Sequence, residues 1–148
     1  MIEKTVVIVK PEHVRIGELI LGNLDQYGSR RPTIFVPEVA LEVAAAHCAP
    51  HLGKEYHHRL LRQFAGNAVM VAVYNGVDII NLIHQAVGAT DPTNAAPHTI
   101  RGKYSVDSLE RAINEDRALQ NAVHCSRDLT EAQRDLQVWE PYLGVTRI

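Results

Sequence analysis

The sequence predicts an α/β (α+β) protein, a four-stranded antiparallel sheet with helices packed on it, and three observations carry that expectation. Short apolar runs rich in β-branched residues alternate with segments in which apolar residues recur every three or four positions. These elements come in the order β, α, β, α, β, α, β, with helix pairs in two of the connections. That order fits a ferredoxin-like βαββαβ arrangement, read here with its helices on one face of the sheet. The 148 residues, 46% hydrophobic and 22% charged, suffice for a single domain over residues 1–148 that buries its own core. A purely parallel doubly wound sheet is the alternative.

The first strand is Thr5-Val6-Val7-Ile8-Val9, apolar on both faces and ended by Lys10-Pro11. Ile16, Leu19, Ile20 and Leu24 then keep helical spacing until Gly28. Thr33-Ile34-Phe35-Val36 is a second strand between Pro32 and Pro37, and residues 38–47 have the composition of a helix that Pro50 and Gly53 prevent from continuing. Tyr56 to Phe64 is a helix with Leu60, Leu61 and Phe64 on one side and a basic remainder, His57, His58, Arg59 and Arg62. Asn67 to Tyr74 is the third strand, which Asn75-Gly76 is expected to end in a sharp turn. Val77 to Val87 is helical through Ile79, Ile80 and Ile83. Gly88, Pro92, Pro97 and Gly102 mark a long polar loop of the kind that carries function. Residues 107–120 return to helix, the segment around His124 is the fourth strand, and Thr130-Glu131-Ala132-Gln133 caps a last helix ending near Pro141.

Composition narrows the function classes. A formal charge of −2 argues against a nucleic-acid-coating surface, so any phosphate binding should come from a local cluster of side chains. Neither Gly-x-Gly-x-x-Gly after the first strand nor Gly-x-x-x-x-Gly-Lys anywhere supplies a backbone cradle for phosphates. The two cysteines, Cys48 and Cys125, read as reduced thiols of a cytoplasmic protein. The N-terminus runs straight into a strand without a signal-peptide pattern, and no apolar run is long enough to span a bilayer.

The chemistry points to Asn121-Ala122-Val123-His124-Cys125-Ser126-Arg127-Asp128, where a histidine sits in a short apolar run flanked by hydrogen-bonding side chains. A core histidine with both ring nitrogens satisfied is the commoner outcome for such a run. What favours a working residue is its company: Lys10 at a strand exit, a Thr-Ile-Arg-Gly turn upstream, and a carboxylate on the following helix.

Val7-Ile8-Val9-Lys10-Pro11, Gly88-Ala89-Thr90-Asp91-Pro92, Pro97-His98-Thr99-Ile100-Arg101-Gly102 and Asn121-Ala122-Val123-His124-Cys125-Ser126 together resemble, in order, the motifs of nucleoside diphosphate kinases. The resemblance implies the ferredoxin-like fold and transfer of the γ-phosphate of a nucleoside triphosphate to a nucleoside diphosphate. It implies a ping-pong route through a phosphohistidine at His124, with Mg2+ bound through the nucleotide phosphates. By the same resemblance Asp135 and Ser126 orient His124. Lys10, His84, Thr90 and Arg101 meet phosphates, Asn121 the sugar, and Tyr56 stacks on the base. Trp139 closes the last helix where the family has a tryptophan. The implied partners are nucleoside di- and triphosphates and further copies of the chain in a hexamer or tetramer, with no nucleic acid and no membrane.

Departures from the family pattern are as specific. His84 stands in place of an arginine, Cys48 of a tyrosine, His98 of a glycine, and Asp135 of a longer glutamate. The stretch between Arg101 and His124 is longer than the family pattern by roughly three helical turns. These departures leave room for a nucleotide-binding or regulatory module of the same fold with weakened transfer. A metal protein built on His47, Cys48, His51, His57 and His58 is a weaker reading, because Pro50 breaks the helical spacing between His47 and His51.

Overall fold

The computed structural model describes residues 1–144. Five strands form one antiparallel sheet: β1 (Ile2–Val9), β2 (Ser29–Arg30), β3 (Ile34–Val36), β4 (Val69–Val77) and β5 (Val123–Cys125). β1 and β4 are the inner strands. β5 pairs with the outer side of β1, while β2 and β3 pair in succession with β4, Ser29 opposite Asn75 and Ile34 opposite Val71. The two short strands thus share one edge position, and the sheet has four places, as the ferredoxin-like order requires. Each crossover leaves one antiparallel strand between its two ends, giving two interleaved β-α-β units.

Helices cover both faces, not the single face expected. The physical reason lies in β1, whose buried residues alternate between two separate cores. Val7 and Val9 face Ile20 and Leu21 of α1 (Gly17–Gly22) and Ile79, Ile80 and Ile83 of α4 (Ile79–Val87). Val6 and Ile8 face Val43 and Ala44 of α2 (Leu41–Cys48), Phe64 of α3 (His57–Phe64), and the fully buried Trp139 after α7 (Leu129–Val138). A strand buried on both faces needs a cover on both.

Three local expectations need correction. Asn75-Gly76 does not turn the chain: β4 runs on to Val77, with Asn75 and Gly76 opposite Lys4 and Glu3, because β1 begins at Ile2 and offers partners. The turn falls at Asp78, which takes a left-handed φ of 56°. The expected helix over 107–120 shrinks to α6 (Leu109–Asn114), preceded by α5 (Ile100–Tyr104) in the polar loop. The cap of α7 is Asp128, whose side chain accepts from Glu131 N at 2.8 Å, rather than Thr130. A last short helix, α8 (Glu140–Leu143), follows. Among the described residues no helix is long and apolar enough to cross a membrane.

Candidate active site

The site grows from the register of β5 on β1. His124 lies opposite Ile8 and shares its face, whereas Cys125 lies opposite Val7 and enters the other core as a small buried hydrophobe. Burial pushes the Cys125 thiol up to about 11, so it stays protonated. His124 Nε2 is 2.8 Å from Asp135 Oδ2 on α7, and the same oxygen accepts from Ser126 Oγ at 2.9 Å. A carboxylate oxygen that takes two donors makes Nε2 the protonated nitrogen, which leaves the Nδ1 lone pair toward the cleft. Asp135 is fully buried and, although one methylene shorter than glutamate, reaches the ring at hydrogen-bonding distance.

Behind the ring stands His47, which the sequence singled out only as a metal candidate. Its ring packs edge-on against His124 at 4.5 Å, and its Nδ1 accepts from Trp139 Nε1 at 3.1 Å. Burial, then the neighbouring His124 and Lys10, hold His47 well below the usual histidine range, so it is neutral. Among the described residues His47, His124 and Asp135 are the one set of three whose ligand atoms lie within 4.8 Å of one another. The hydrogen bonds oppose a metal there: Trp139 fixes the His47 proton on Nε2, and Asp135 is committed to His124 and Ser126.

Lys10 and Arg101 bring positive charge to the same place by different means. Lys10, at the end of β1, is buried, donates to Asn121 Oδ1 at 2.7 Å, and is pushed down to about 8 by burial. Arg101, on α5, donates to the carbonyls of Asn121, Gly88 and Val123 at 3.1, 3.0 and 2.8 Å. Its fork therefore ties the polar loop to β5 and still has donors left for a ligand. Asn121 completes the web through Nδ2 to Thr90 O at 2.9 Å. Between Asn121 and His124 the backbone passes through Ala122 at a left-handed φ of 75°, a strained value for a residue with a Cβ.

One cavity of about 750 Å³ joins these groups. Lys10, Tyr56, His84, Thr90, Arg101, Asn121 and His124 all line it, so the structure brings together every residue expected to meet a nucleotide. Asp135 and Ser126 lie behind His124. Tyr56 caps the start of α3, its hydroxyl 2.7 Å from His51 Nδ1. The sequence reading missed Arg59, Leu109, Ala112 and Ile113 of α6, and Arg117 beyond it. The basic side of α3 was visible in the pattern, but nothing in it told which cations turn inward.

The family model for nucleoside diphosphate kinase matches residues 3–142. The chain belongs to the nucleoside diphosphate kinase family. It is 32% identical over 147 residues to a nucleoside diphosphate kinase of Rhodococcus jostii, covering 97% of this chain and 99% of that one. A homologue from Saccharopolyspora erythraea bearing the same name is 33% identical, covering 97% and 100%. Among solved structures, a transition state mimic of nucleoside-diphosphate kinase from Borrelia burgdorferi with bound vanadate and ADP superposes with a TM-score of 0.86. It is 25% identical, and the match covers 93% of this chain and 86% of that one. For a kinase of this family the departures are now located: His84 lines the cavity, and Cys48 lies beside His47 at its inner wall.

Proposed function

We propose that the chain is a working nucleoside diphosphate kinase in which His124 Nδ1 attacks the γ-phosphate of a nucleoside triphosphate. The observation that carries this reading is the Asp135–His124 pair, with Ser126 steadying the carboxylate and the cleft open on the other ring nitrogen. In the first half-reaction the Nδ1 lone pair forms the N–P bond as the bond from the γ-phosphorus to the β–γ bridging oxygen breaks, and the diphosphate leaves. Asp135 holds the Nε2 proton and balances the positive charge that develops on the ring. In the second half-reaction a terminal phosphate oxygen of a different nucleoside diphosphate takes the phosphoryl group, and the imidazole is restored. Lys10 and Arg101 stabilise the charge on the moving group, which is the main task in such transfers.

Tyr56 is assigned to the base, Asn121 to the sugar, and Thr90 and His84 to the phosphates. The donors around Lys10, Thr90, Arg101 and Asn121 are cationic or neutral, which fits Mg2+ arriving on the nucleotide rather than caged by protein carboxylates. The metal would neutralise phosphate charge. Residues 1–148 act as one domain, the chain assembles with further copies into a hexamer or tetramer, and its two buried free thiols fit a cytoplasmic protein. Mixing the protein with ATP labelled at the γ-phosphate tests the reading. Label should appear on the polypeptide, vanish in acid, survive base, and leave on addition of a different nucleoside diphosphate. A protein that binds ATP but never carries label is the regulatory module instead.

A further inference from the structure

Val123 N donates to Asn121 O at 2.9 Å across a residue whose φ is 75°, which makes Ala122 the apex of a γ-turn of the rare, strained kind. Such a turn persists only where its surroundings hold it. Here the chain just past β1 holds it on both sides. Lys10 N donates to Ala122 O at 2.9 Å and, two residues on, Glu12 Oε2 accepts from Ala122 N at 3.3 Å. Pro11, which opens a short 3-10 helix over Pro11–Ile16, separates the two contacts. The turn stands between Asn121, whose Oδ1 accepts from Lys10 Nζ, and His124.

Glu12 does not line the cavity, yet its carboxylate is firmly braced. Gln63 Nε2 of α3 donates to Oε1 at 3.2 Å, and His13 Nδ1 lies 3.7 Å from Oε2 while His13 Nε2 donates to Tyr104 O at 2.6 Å. Burial works against the charge of Glu12, but His13 and Lys10 outweigh it and hold the carboxyl below its usual range, so the group is ionised and only accepts. Lys10 feels that charge. Burial drives its ammonium down to about 8, and Glu12 is the strongest influence in the other direction. The other groups that face Lys10 are Arg101 of α5, Cys48 and His47 of α2, and Cys125 of β5. Arg101 is a cation, and burial keeps both thiols protonated and His47 neutral, so Glu12 is the one negative charge in this set.

We propose that Glu12 is a positioning residue for phosphoryl transfer: its carboxylate clamps the γ-turn by the Ala122 amide, fixing where Asn121 and His124 stand, and faces the Lys10 ammonium as its counter-charge. It touches neither the nucleotide nor the moving phosphate and acts through Ala122 and Lys10. One side chain thereby sets both the backbone that carries the nucleophile and the charge of the cation that meets the phosphates. A bound nucleotide brings negative charge of its own to Lys10, and Glu12 keeps the ammonium charged before the nucleotide arrives. The proposal rests on the phosphohistidine reading of the site.

Two variants separate the two actions, with melting temperatures to check that each keeps its fold. Glu12→Gln keeps the reach to Ala122 N and loses the charge, whereas Glu12→Asp keeps the charge and withdraws it from the amide by one methylene. Calorimetric titration should show the ADP affinity of Glu12→Gln falling from pH 6 to pH 7.5 about threefold more than that of the wild type, because Lys10 without its counter-charge loses its proton at lower pH. Glu12→Asp should keep the wild-type pH profile but, in a single turnover at saturating ATP labelled at the γ-phosphate, take label about tenfold more slowly. A merely structural contact would lower the melting temperature and leave the pH profile in place. A wild-type pH profile in Glu12→Gln, or a wild-type labelling rate in Glu12→Asp, overturns the assignment. A wild-type protein that binds ADP but takes no label overturns the phosphohistidine reading, and the assignment falls with it.

Discussion

At one end of the cleft His124, Lys10 and Asn121 hang from the sheet or its immediate exits, and Arg101 is sewn to three backbone carbonyls. At the other end Tyr56, Leu109 and Ile113 stand on two short helices joined through exposed ion pairs. Lys10, Arg101 and Asn121 are buried there, so each must have a partner, and losing one costs both the contact and the desolvation of what remains. The other end is exposed and apolar, and changes there should be graded. The groups proposed to do the chemistry thus sit where geometry is least free to vary, and the exposed apolar side chains where it is easiest to alter.

The sharpest break of that comparison is His124→Ala. It should abolish label on the protein and lower turnover by more than about a thousandfold, with the melting temperature near that of the parent. A mutant that still labels would move the nucleophile elsewhere. Asp135→Asn comes next. It replaces the acceptor of the Nε2 proton with a group that can face the ring as a donor, so turnover should fall roughly a hundredfold while the Michaelis constant changes little. An equal rise in the Michaelis constant would mark Asp135 as a support of the binding cleft instead.

A pH series probes the buried lysine. In the free protein Lys10 is held down to about 8 by burial, so its ammonium is lost as pH rises through that value. Bound phosphates favour the charged form, and nucleotide affinity should therefore weaken by about tenfold from pH 7 to pH 9.5. Lys10→Arg should flatten the profile, because an arginine stays charged throughout. His84→Arg is the milder gain at the same end: an added fork on the phosphates should tighten triphosphate binding about threefold. The smallest effect belongs to the exposed ion pairs between Asp116 and α3. Asp116→Asn removes one partner of exposed ion pairs, so ADP affinity should drop about twofold at low salt and hardly at all in high salt. A tenfold effect that ignores salt would show that this exposed end is as tightly built as the end around His124.

Much of this could be read from residue order. β1, β3, β4 and β5 follow apolar runs, α4 and α7 follow helical spacing, and the His124 motif carries its own neighbours. The face assignments of His124 and Cys125 needed no more than the alternation of a strand. Misreadings came where partners decide. Asn75-Gly76 has the chemistry of a turn, yet it stays in the sheet because β1 offers Glu3 and Lys4 to pair with. Residues 107–120 have helical composition, yet Arg117 folds back onto Asp107 and the helix stops at Asn114.

The sequence by itself determined the run of β1, β3, β4 and β5 along the chain, the apolar character of β1 on both faces and the set of side chains proposed to carry phosphate chemistry, because periodicity and short motifs are local properties of the chain. Which of those side chains would meet was decided only by tertiary structure. His47 lies far from His124 and Trp139 in the chain, and only the packing of α2 and α7 on one face of the sheet puts its ring between them. Arg101 reads as a phosphate ligand from its motif, yet its three carbonyl partners come from two other segments. Long-range contacts of this kind arise when buried polar groups must find partners as the layers close, and no window along the chain contains both halves of such a pair.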